Sequence, residues 1–183
     1  NLGHSIVMFS QGIPFFHAGD DLLRSKSLDR NSYNSGDWFN RIDWTYQINN
    51  FGVGLPPAPD NESRWDIMQP LLANEDLYVT PDHIESARLH FLELLEIRSD
   101  VRLFRLQTAD QVDEMLQFLN TGTDQIPGLI VMSLTDSGDF DPQYEQVVVL
   151  FNAQPAAIAF TADDLADTNL TLHPVQANSF DEV

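Results

Sequence analysis

One segment near the middle of the chain repeats apolar residues at the spacing of an amphipathic helix. Thr80, Pro81 and Asp82 precede it and supply a hydroxyl N-cap, a proline at N1 and an acid in the first turn. The pattern therefore predicts a helix from residue 80 to about Arg98. The apolar positions that set the period are Ile84, Ala87, Phe91, Leu94 and Leu95.

The start of the chain predicts a helix followed by a buried strand. Residues 1–11 are mostly apolar, and Gly12 follows them as a glycine suited to a helix C′ position. The short apolar run at residues 13–17 predicts a strand buried on both faces, with Pro14 at its beginning. A polar loop comes next, and the order helix, strand, loop is typical of a parallel α/β unit whose chemistry lies after the strand.

After the long helix, the pattern changes to that of strands. Thr108, with Gln111 three residues later, first predicts a short helix that opens with a capping box. Apolar runs separated by turn residues then predict an antiparallel sandwich, and the boundary between the two parts falls near residue 100. The predicted strands are Met115–Leu119, Gly128–Leu134, Gln146–Asn152 and Ala156–Phe160.

Residues 20–79 show neither the 3.6-residue period of a helix nor the two-residue period of a strand over any sustained length. The segment is rich in Asn, Ser, Asp, Gly and Pro, and connections this long are uncommon unless they are functional or disordered. Its aromatic side chains need burial, so we expect an ordered, functional surface loop. These aromatic residues are Tyr33, Trp38, Phe39, Trp44, Tyr46 and Phe51.

Composition argues against several classes of function. The formal net charge is −19, from 9 Lys and Arg against 28 Asp and Glu, and so acidic a surface repels nucleic acids and anionic membranes. Without cysteine there is no disulfide, thiolate metal site or Cys nucleophile. No run approaches the roughly 20 apolar residues of a membrane span. The acidity favours a secreted or cell-surface setting over the cytoplasm, although solubility alone also explains it.

The polar residues contain no recognisable metal or nucleophile motif. The histidines are scattered, and no P-loop, dinucleotide fingerprint or Ser nucleophile motif occurs. His17, at the end of the predicted strand, either faces a site or is a satisfied structural residue. Asp136, Asp139 and Asp141 form either a solvated turn or a calcium site, but their spacing does not match the EF-hand loop. We expect no cofactor here, and the calcium content of a longer parent chain stays open.

The segment Ser27–Asn40 mixes acids, amides, hydroxyls and aromatics within one loop. Sugar recognition uses this mixture, because carboxylate, amide and guanidinium groups bond to sugar hydroxyls while aromatic faces cover the ring C–H surface. The alternative is that these groups bond to one another and only hold the loop in place.

Several strings of the chain resemble the pullulanase-type α-1,6-glucan hydrolases, the debranching enzymes of the α-amylase superfamily that include limit dextrinases. The first strings are Gln11–Asp20, Leu23–Arg30, Ser32–Asn40 and Gly52–Pro57. The likeness covers essentially the whole chain, and it continues through Leu92–Arg98, Leu103–Leu106, Phe118–Gly122 and Ile126–Ser133.

The resemblance implies an α/β part followed by a β part. Residues 1–100 would be the C-terminal end of a (β/α)8 barrel, with its last strand, a helix and a long active-site loop. Residues 101–183 would be an incomplete C-terminal antiparallel β-sandwich. The substrate-binding residues that the family implies are Asp29, Arg30, Asn61 and Glu62. Two departures are Ser63, where the family often has an acid, and Asp21, where it often has Glu.

The resemblance also implies a glycoside hydrolase that cleaves α-1,6 branch points in pullulan, glycogen or starch dextrins with retention. Retention needs two carboxyl groups about 5 Å apart. Because the family's three catalytic carboxylate motifs are not among these residues, we expect them before Asn1, in the remainder of a longer parent chain. Alone, this chain should not hydrolyse a glucan. The alternative is a non-catalytic α-glucan-binding or structural module.

Overall fold

The computed structural model describes residues 1–179 as helices, turns and one antiparallel sheet. The chain divides into two compact units, one formed by Asn1–Phe15 and Phe91–Val183 and the other by Phe16–His90. The helices are α1 (Leu2–Phe9), α2 (Asp37–Asn40), α3 (Ala58–Asn61), α4 (Trp65–Leu72), α5 (Pro81–Asp100), α6 (Ala109–Met115) and α7 (Pro174–Ala177). The strands are β1 (Leu116–Phe118), β2 (Leu129–Thr135) and β3 (Gln146–Asn152).

Local capping chemistry explains the two best predicted helices. In α5, the Thr80 hydroxyl accepts a hydrogen bond from the His83 amide at 3.3 Å, and His83 Nδ1 accepts one from the Thr80 amide at 3.2 Å. In α6, Thr108 and Gln111 form the expected capping box. Both predictions are confirmed, and α5 extends two residues beyond Arg98.

The sheet is a simple antiparallel meander in the order β1-β2-β3. Its register places Leu116 opposite Leu134 and Val131 opposite Leu150. Three predicted strands are therefore confirmed, but the fourth, Ala156–Phe160, is wrong. There the Asn152 side chain donates to the Ala156 carbonyl oxygen at 2.8 Å, a turn contact in place of a strand ladder. Residues 1–179 contain one three-stranded sheet and not the second sheet of a sandwich.

The predicted helix at the start of the chain is present as α1, but the strand after it is not. Residues 13–17 have no strand assignment, and the side chains of Ile13 and Phe15 are 81% and 84% exposed. A strand buried on both faces needs a neighbouring strand on each edge and a layer above and below it. Within residues 1–179 this segment has neither neighbouring strand, which is why the apolar pattern does not produce a strand.

The segment between residues 20 and 79 is ordered by short helices and turns. Helix α4 is not predicted by the sequence pattern, and it buries Met68 and Leu72 although Pro70 lies inside it. Phe39 is buried as expected, but Tyr33 and Trp44 are 94% and 69% exposed, so the expectation that all these aromatics are buried is wrong.

Charge is unevenly distributed along the chain. The last Lys or Arg of the sequence is Arg105, so β1, β2 and β3 all follow it and carry none. Throughout residues 1–179, no helix combines the length and apolarity needed to cross a membrane.

Candidate functional site

Three of the four predicted site residues come together within the unit Phe16–His90. Asp29 and Arg30 lie in a loop, whereas Asn61 is the last residue of α3 and Glu62 opens the 3-10 turn that follows. Pro57 precedes α3 and Pro59 lies in its first turn, which favours a helix start at this point. Asn61 bonds to both Asp29 and Arg30, and Glu62 is its exposed neighbour in the chain.

Asn61 is the centre of this cluster and is only 1% exposed. Its Nδ2 donates to Asp29 Oδ1 at 3.0 Å and to the Pro57 carbonyl oxygen at 2.9 Å. Its Oδ1 accepts from the Arg30 backbone amide at 3.0 Å. Both amide hydrogens and the amide oxygen are therefore engaged, as burial of a polar side chain requires.

Asp29 is held as a carboxylate. Burial raises its pKa, but the Ser35 hydroxyl, the Asn61 side chain, the Asn31 amide and the Lys26 charge lower it more, and the net shift is downward. Oδ1 accepts from both Asn61 and the Asn31 amide. Oδ2 is buried and has no hydrogen-bond partner among residues 1–179; the Ser35 hydroxyl is close enough to favour the charge without full hydrogen-bond geometry.

The side chains of Arg30 and Glu62 are exposed. Arg30 Nη1 makes one long contact of 3.5 Å with the Asp60 carbonyl oxygen, and this is the single hydrogen bond of its guanidinium within the described residues. The remaining donors of Arg30 and the carboxylate of Glu62 face solvent. The exposed guanidinium of Arg30 and the exposed carboxylate of Glu62 belong to two segments joined through Asn61, and they provide donors and acceptors for a polyhydroxylated ligand.

The surrounding loop is braced by its own polar side chains. Asn40 Nδ2 donates to the carbonyl oxygens of Ser32 and Gly36 at 2.7 and 2.9 Å. Asn50 is 2% exposed, and its side chain accepts from Arg41 Nε at 2.9 Å and donates to the Arg41 carbonyl oxygen at 3.0 Å. Part of the loop's polar composition therefore holds its backbone, as the alternative interpretation expected.

Two aromatic rings of the same loop are available at the surface. Tyr33 is almost fully exposed, and Trp38 is half-exposed while its Nε1 donates to the Val53 carbonyl oxygen at 3.0 Å. The Arg41 guanidinium lies 4.9 Å from the centroid of the Trp38 ring, within the range of a cation–π contact. Exposed rings of this kind can cover apolar C–H surface of a sugar.

The other polar residues named from the sequence take structural places. His17 is exposed, and its backbone amide donates to Asp20 Oδ2 at 3.0 Å. Asp136 accepts from the Gly138 and Asp141 amides, and Asp141 accepts from the Arg102 amide at 2.6 Å. These carboxylates fix turns in the backbone. Over the described part of the chain, no group of three or more His, Cys, Asp or Glu side chains has the arrangement of a metal site.

One polar cluster was missed entirely from the sequence. Tyr144 donates to Asp100 Oδ2 at 2.5 Å, and His173 Nε2 lies 3.1 Å from both groups. The His173 Nδ1 atom accepts from the Val175 amide, so Nε2 carries the ring hydrogen. The partners are 44 and 73 residues from Asp100, and no local signal in the sequence connects them.

A family model and individual known proteins that match this chain are all of the pullulanase type. Residues 46–183 match the family described as "Alpha-1,6-glucosidases, pullulanase-type, C-terminal". The chain is 49% identical to Pullulanase 1, chloroplastic, of Arabidopsis thaliana, over 100% of the chain and 20% of that protein. It is 37% identical to a pullulanase of Klebsiella pneumoniae, over 93% of the chain and 16% of that protein. The chain thus spans about a fifth or less of the length of these relatives.

Solved structures give the same comparison. The Klebsiella pneumoniae pullulanase complexed with maltotriose matches 96% of this chain and 17% of its own, with a TM-score of 0.87 and 36% identity. A pullulanase complexed with maltotetraose from Anoxybacillus sp. LM18-11 matches 84% of this chain and 17% of its own, with a TM-score of 0.53 and 31% identity.

Proposed function

The chain belongs to the pullulanase-type α-1,6-glucosidases, and from this membership we propose that it is part of a glycoside hydrolase acting on branched α-glucans. The bond cleaved is the α-1,6 branch point of pullulan, glycogen or starch dextrins. The maltotriose and maltotetraose bound by its structural relatives support this class of substrate. Neither nucleic acid nor a membrane surface is a partner, because the net charge of −19 opposes both.

The chemistry proceeds with retention and depends on carboxylates in the remainder of the parent chain. Such a mechanism needs a nucleophile and an acid/base about 5 Å apart. The proposed contribution of this chain is the substrate cleft and the C-terminal domain. Residues 1–100 complete the barrel and residues 101–183 belong to the β-sandwich. The extended, exposed segment at residues 13–17 supports this, because its apolar side chains suit a strand with barrel neighbours.

Asp29, Arg30, Asn61 and Glu62 form the part of the glucan site that this chain supplies. The observation that carries the proposal is the hydrogen bonding of Asn61, the residue before Glu62, to Asp29 and to the Arg30 amide. The exposed guanidinium and carboxylate then offer donors and acceptors to sugar hydroxyls. These residues hold the glucan and do not perform the bond cleavage.

The test is a chimera in which this chain replaces the matching segment of the Arabidopsis pullulanase. Release of reducing ends from pullulan should persist in the chimera, and Arg30→Ala should raise its KM. The isolated chain should show no turnover. Activity of the isolated chain above a few per cent of the intact homologue would contradict the assignment of the catalytic carboxylates to the rest of the parent.

A second candidate function is a non-catalytic α-glucan-binding module. The exposed Tyr33 and Trp38 rings near the polar loop favour it, because aromatic faces bind sugars without any catalytic group. Calorimetric titration of the isolated chain with maltotriose separates the two candidates. Binding that disappears in Arg30→Ala supports the module, whereas no detectable heat supports a cleft that is formed only with the rest of the parent.

A further inference from the structure

We propose that Asn61 is a positioning residue, which acts on the glucan through Arg30 and makes no contact with the glucan itself. This inference rests on the proposed function of the site. Through Asn61 the chain fixes the position of Arg30, whose side chain is exposed.

Asn61 has no exposed group left for a ligand. It is 1% exposed, and its two amide hydrogens go to Asp29 and the Pro57 carbonyl oxygen. Its oxygen takes the Arg30 amide hydrogen. At this burial a sugar hydroxyl reaches the amide only if the surrounding loop opens and breaks one of these bonds, which leaves a buried polar atom unpaired and costs free energy.

The bonds of Asn61 also fix the backbone at Arg30. The amide of Arg30 is tied to Asn61 across 31 residues of sequence, and the neighbouring Asp29 is tied to the same side chain. The Arg30 guanidinium itself has only the 3.5 Å contact with the Asp60 carbonyl oxygen. Its position therefore depends on the anchored backbone more than on contacts at its tip.

The site needs an amide side chain at position 61. One side chain must donate to a carboxylate and accept from a backbone amide at the same time, and Asn does both. An aspartate of the same shape keeps the acceptor for the Arg30 amide. It loses the donors and places a like charge against Asp29, which is itself held as a carboxylate.

The experiment is a double-mutant cycle in the full-length chimera, measured with pullulan. Asn61→Asp should raise KM about tenfold with kcat unchanged, because glucan binding weakens equally in the ground and transition states. Arg30→Ala should raise KM at least as much. The double variant should have the KM of Arg30→Ala alone, within about a factor of two, because Asn61 acts through the missing side chain.

Asn50 provides the matched control. It is also a buried amide that donates to one backbone carbonyl and accepts from one donor, but its partner is Arg41. Asn50→Asp should leave KM unchanged. An equal rise in KM for Asn50→Asp would overturn the proposal, because the effect would then reflect general loosening of the loop.

The remaining outcomes separate this proposal from the one on which it rests. If the KM effects of Asn61→Asp and Arg30→Ala multiply in the double variant, the positioning role is overturned and the glucan site stands. If Arg30→Ala leaves KM unchanged, the proposed glucan site fails. Should Asn61→Asp fail to fold, Asn61→Ser removes both amide hydrogens and shortens the side chain without adding a charge, and the same cycle applies.

Discussion

The guanidinium of Arg98, in α5, donates a hydrogen bond to the carbonyl oxygen of Gly12 at 2.6 Å. The same group also bonds to the carbonyl oxygens of Met8 and Ser10, so it caps the C-terminal end of α1. Burial lowers the pKa of Arg98, and the nearby Arg105 charge lowers it further. A single buried cation thus satisfies three backbone oxygens that the chain leaves without helical partners.

Replacing Arg98 should therefore be costly. Arg98→Met removes the donor of three carbonyl oxygens, of which the bond to Met8 is buried, and we expect a loss of about 3 kcal/mol in the free energy of unfolding, measured with urea. Arg105→Met is the control, because Arg105 is exposed and its side chain makes one hydrogen bond within residues 1–179, to the Ser99 carbonyl oxygen. The control should lose less than about 1 kcal/mol. Equal losses would contradict the capping role.

Gly52 should not tolerate a side chain. A Cβ at this position would lie 2.0 Å from Tyr78 Oη, and the backbone has φ +73°. Gly52→Ala should lower the free energy of unfolding by about 2 kcal/mol or more, from overpacking and backbone strain together. Gly122→Ala isolates the strain, since Gly122 has φ +88° and a Cβ added there would meet no atom within 4 Å. A smaller loss for Gly52→Ala than for Gly122→Ala would contradict the predicted steric effect.

Asp43 should stabilise its loop in a pH-dependent way. The Thr45 hydroxyl and the amides of Ile48, Thr45 and Gln47 lower the pKa of Asp43 to about 2, against a smaller opposing effect of burial. The contribution is fully present above about pH 4 and is lost as pH falls towards 2. Asp43→Ala should cost about 1 kcal/mol at neutral pH, and the difference from wild type should shrink in acid.

Urea unfolding of both proteins at several pH values measures this difference. The exposed Asp124, which makes no contact of this kind within the described residues, provides the control in Asp124→Ala. A difference between wild type and Asp43→Ala that stays constant from pH 6 to about pH 2 would show that the carboxylate charge is not involved.

The Tyr144 phenol should lose its proton at a higher pH than an ordinary tyrosine does. Burial, the hydrogen bond to Asp100 and the charges of Asp100 and Asp141 raise the pKa of Tyr144 to about 12. The stabilisation from this phenol is fully present below about pH 10 and is lost as pH rises towards 12. Ultraviolet phenolate absorbance should show a late step that is missing in Tyr144→Phe, which should also lose about 1 kcal/mol of stability. A late step that survives in Tyr144→Phe would refute the assignment.

Amide hydrogen exchange should distinguish residues 13–17 from the sheet. The amides of Ile13 and Phe15 have no hydrogen-bond acceptor among the described residues, whereas those of β2 lie between two paired strands. We expect exchange roughly 100-fold or more faster at Ile13 and Phe15 than at Met132, which is paired with Val149 of β3. Equal protection at the three positions would show that the N-terminal segment is ordered by partners of its own.

The sequence predicts a structural element well when the interactions that form the element join residues close together in the chain. Helices α5 and α6 begin with caps whose partners lie three residues away. A few consecutive residues are therefore enough to predict where each helix begins. The predicted strand at residues 13–17 is wrong because an apolar run forms a buried strand only where neighbouring strands lie on both of its edges. Those neighbours are not among the described residues. The expectation that Tyr33 and Trp44 are buried is wrong for a related reason, since an aromatic residue is buried only where another part of the protein covers it.

The site shows the same limit at the level of single side chains. Asp29, Arg30, Asn61 and Glu62 were identified through family resemblance, which places residues in a site without saying which of them are buried. The bonds of Asn61 span 31 and 32 residues and depend on how α3 meets the preceding loop. The sequence therefore yields Asn61 as a candidate site residue, but not that its amide is buried.

The absence of Lys and Arg after Arg105 has a practical consequence for protein chemistry. Trypsin cuts after these residues, so a complete digest of this chain leaves all three strands in one peptide that begins at Leu106. Mapping of this region by mass spectrometry therefore needs a protease that cuts at acidic residues, whose many sites here would divide the sheet into short fragments.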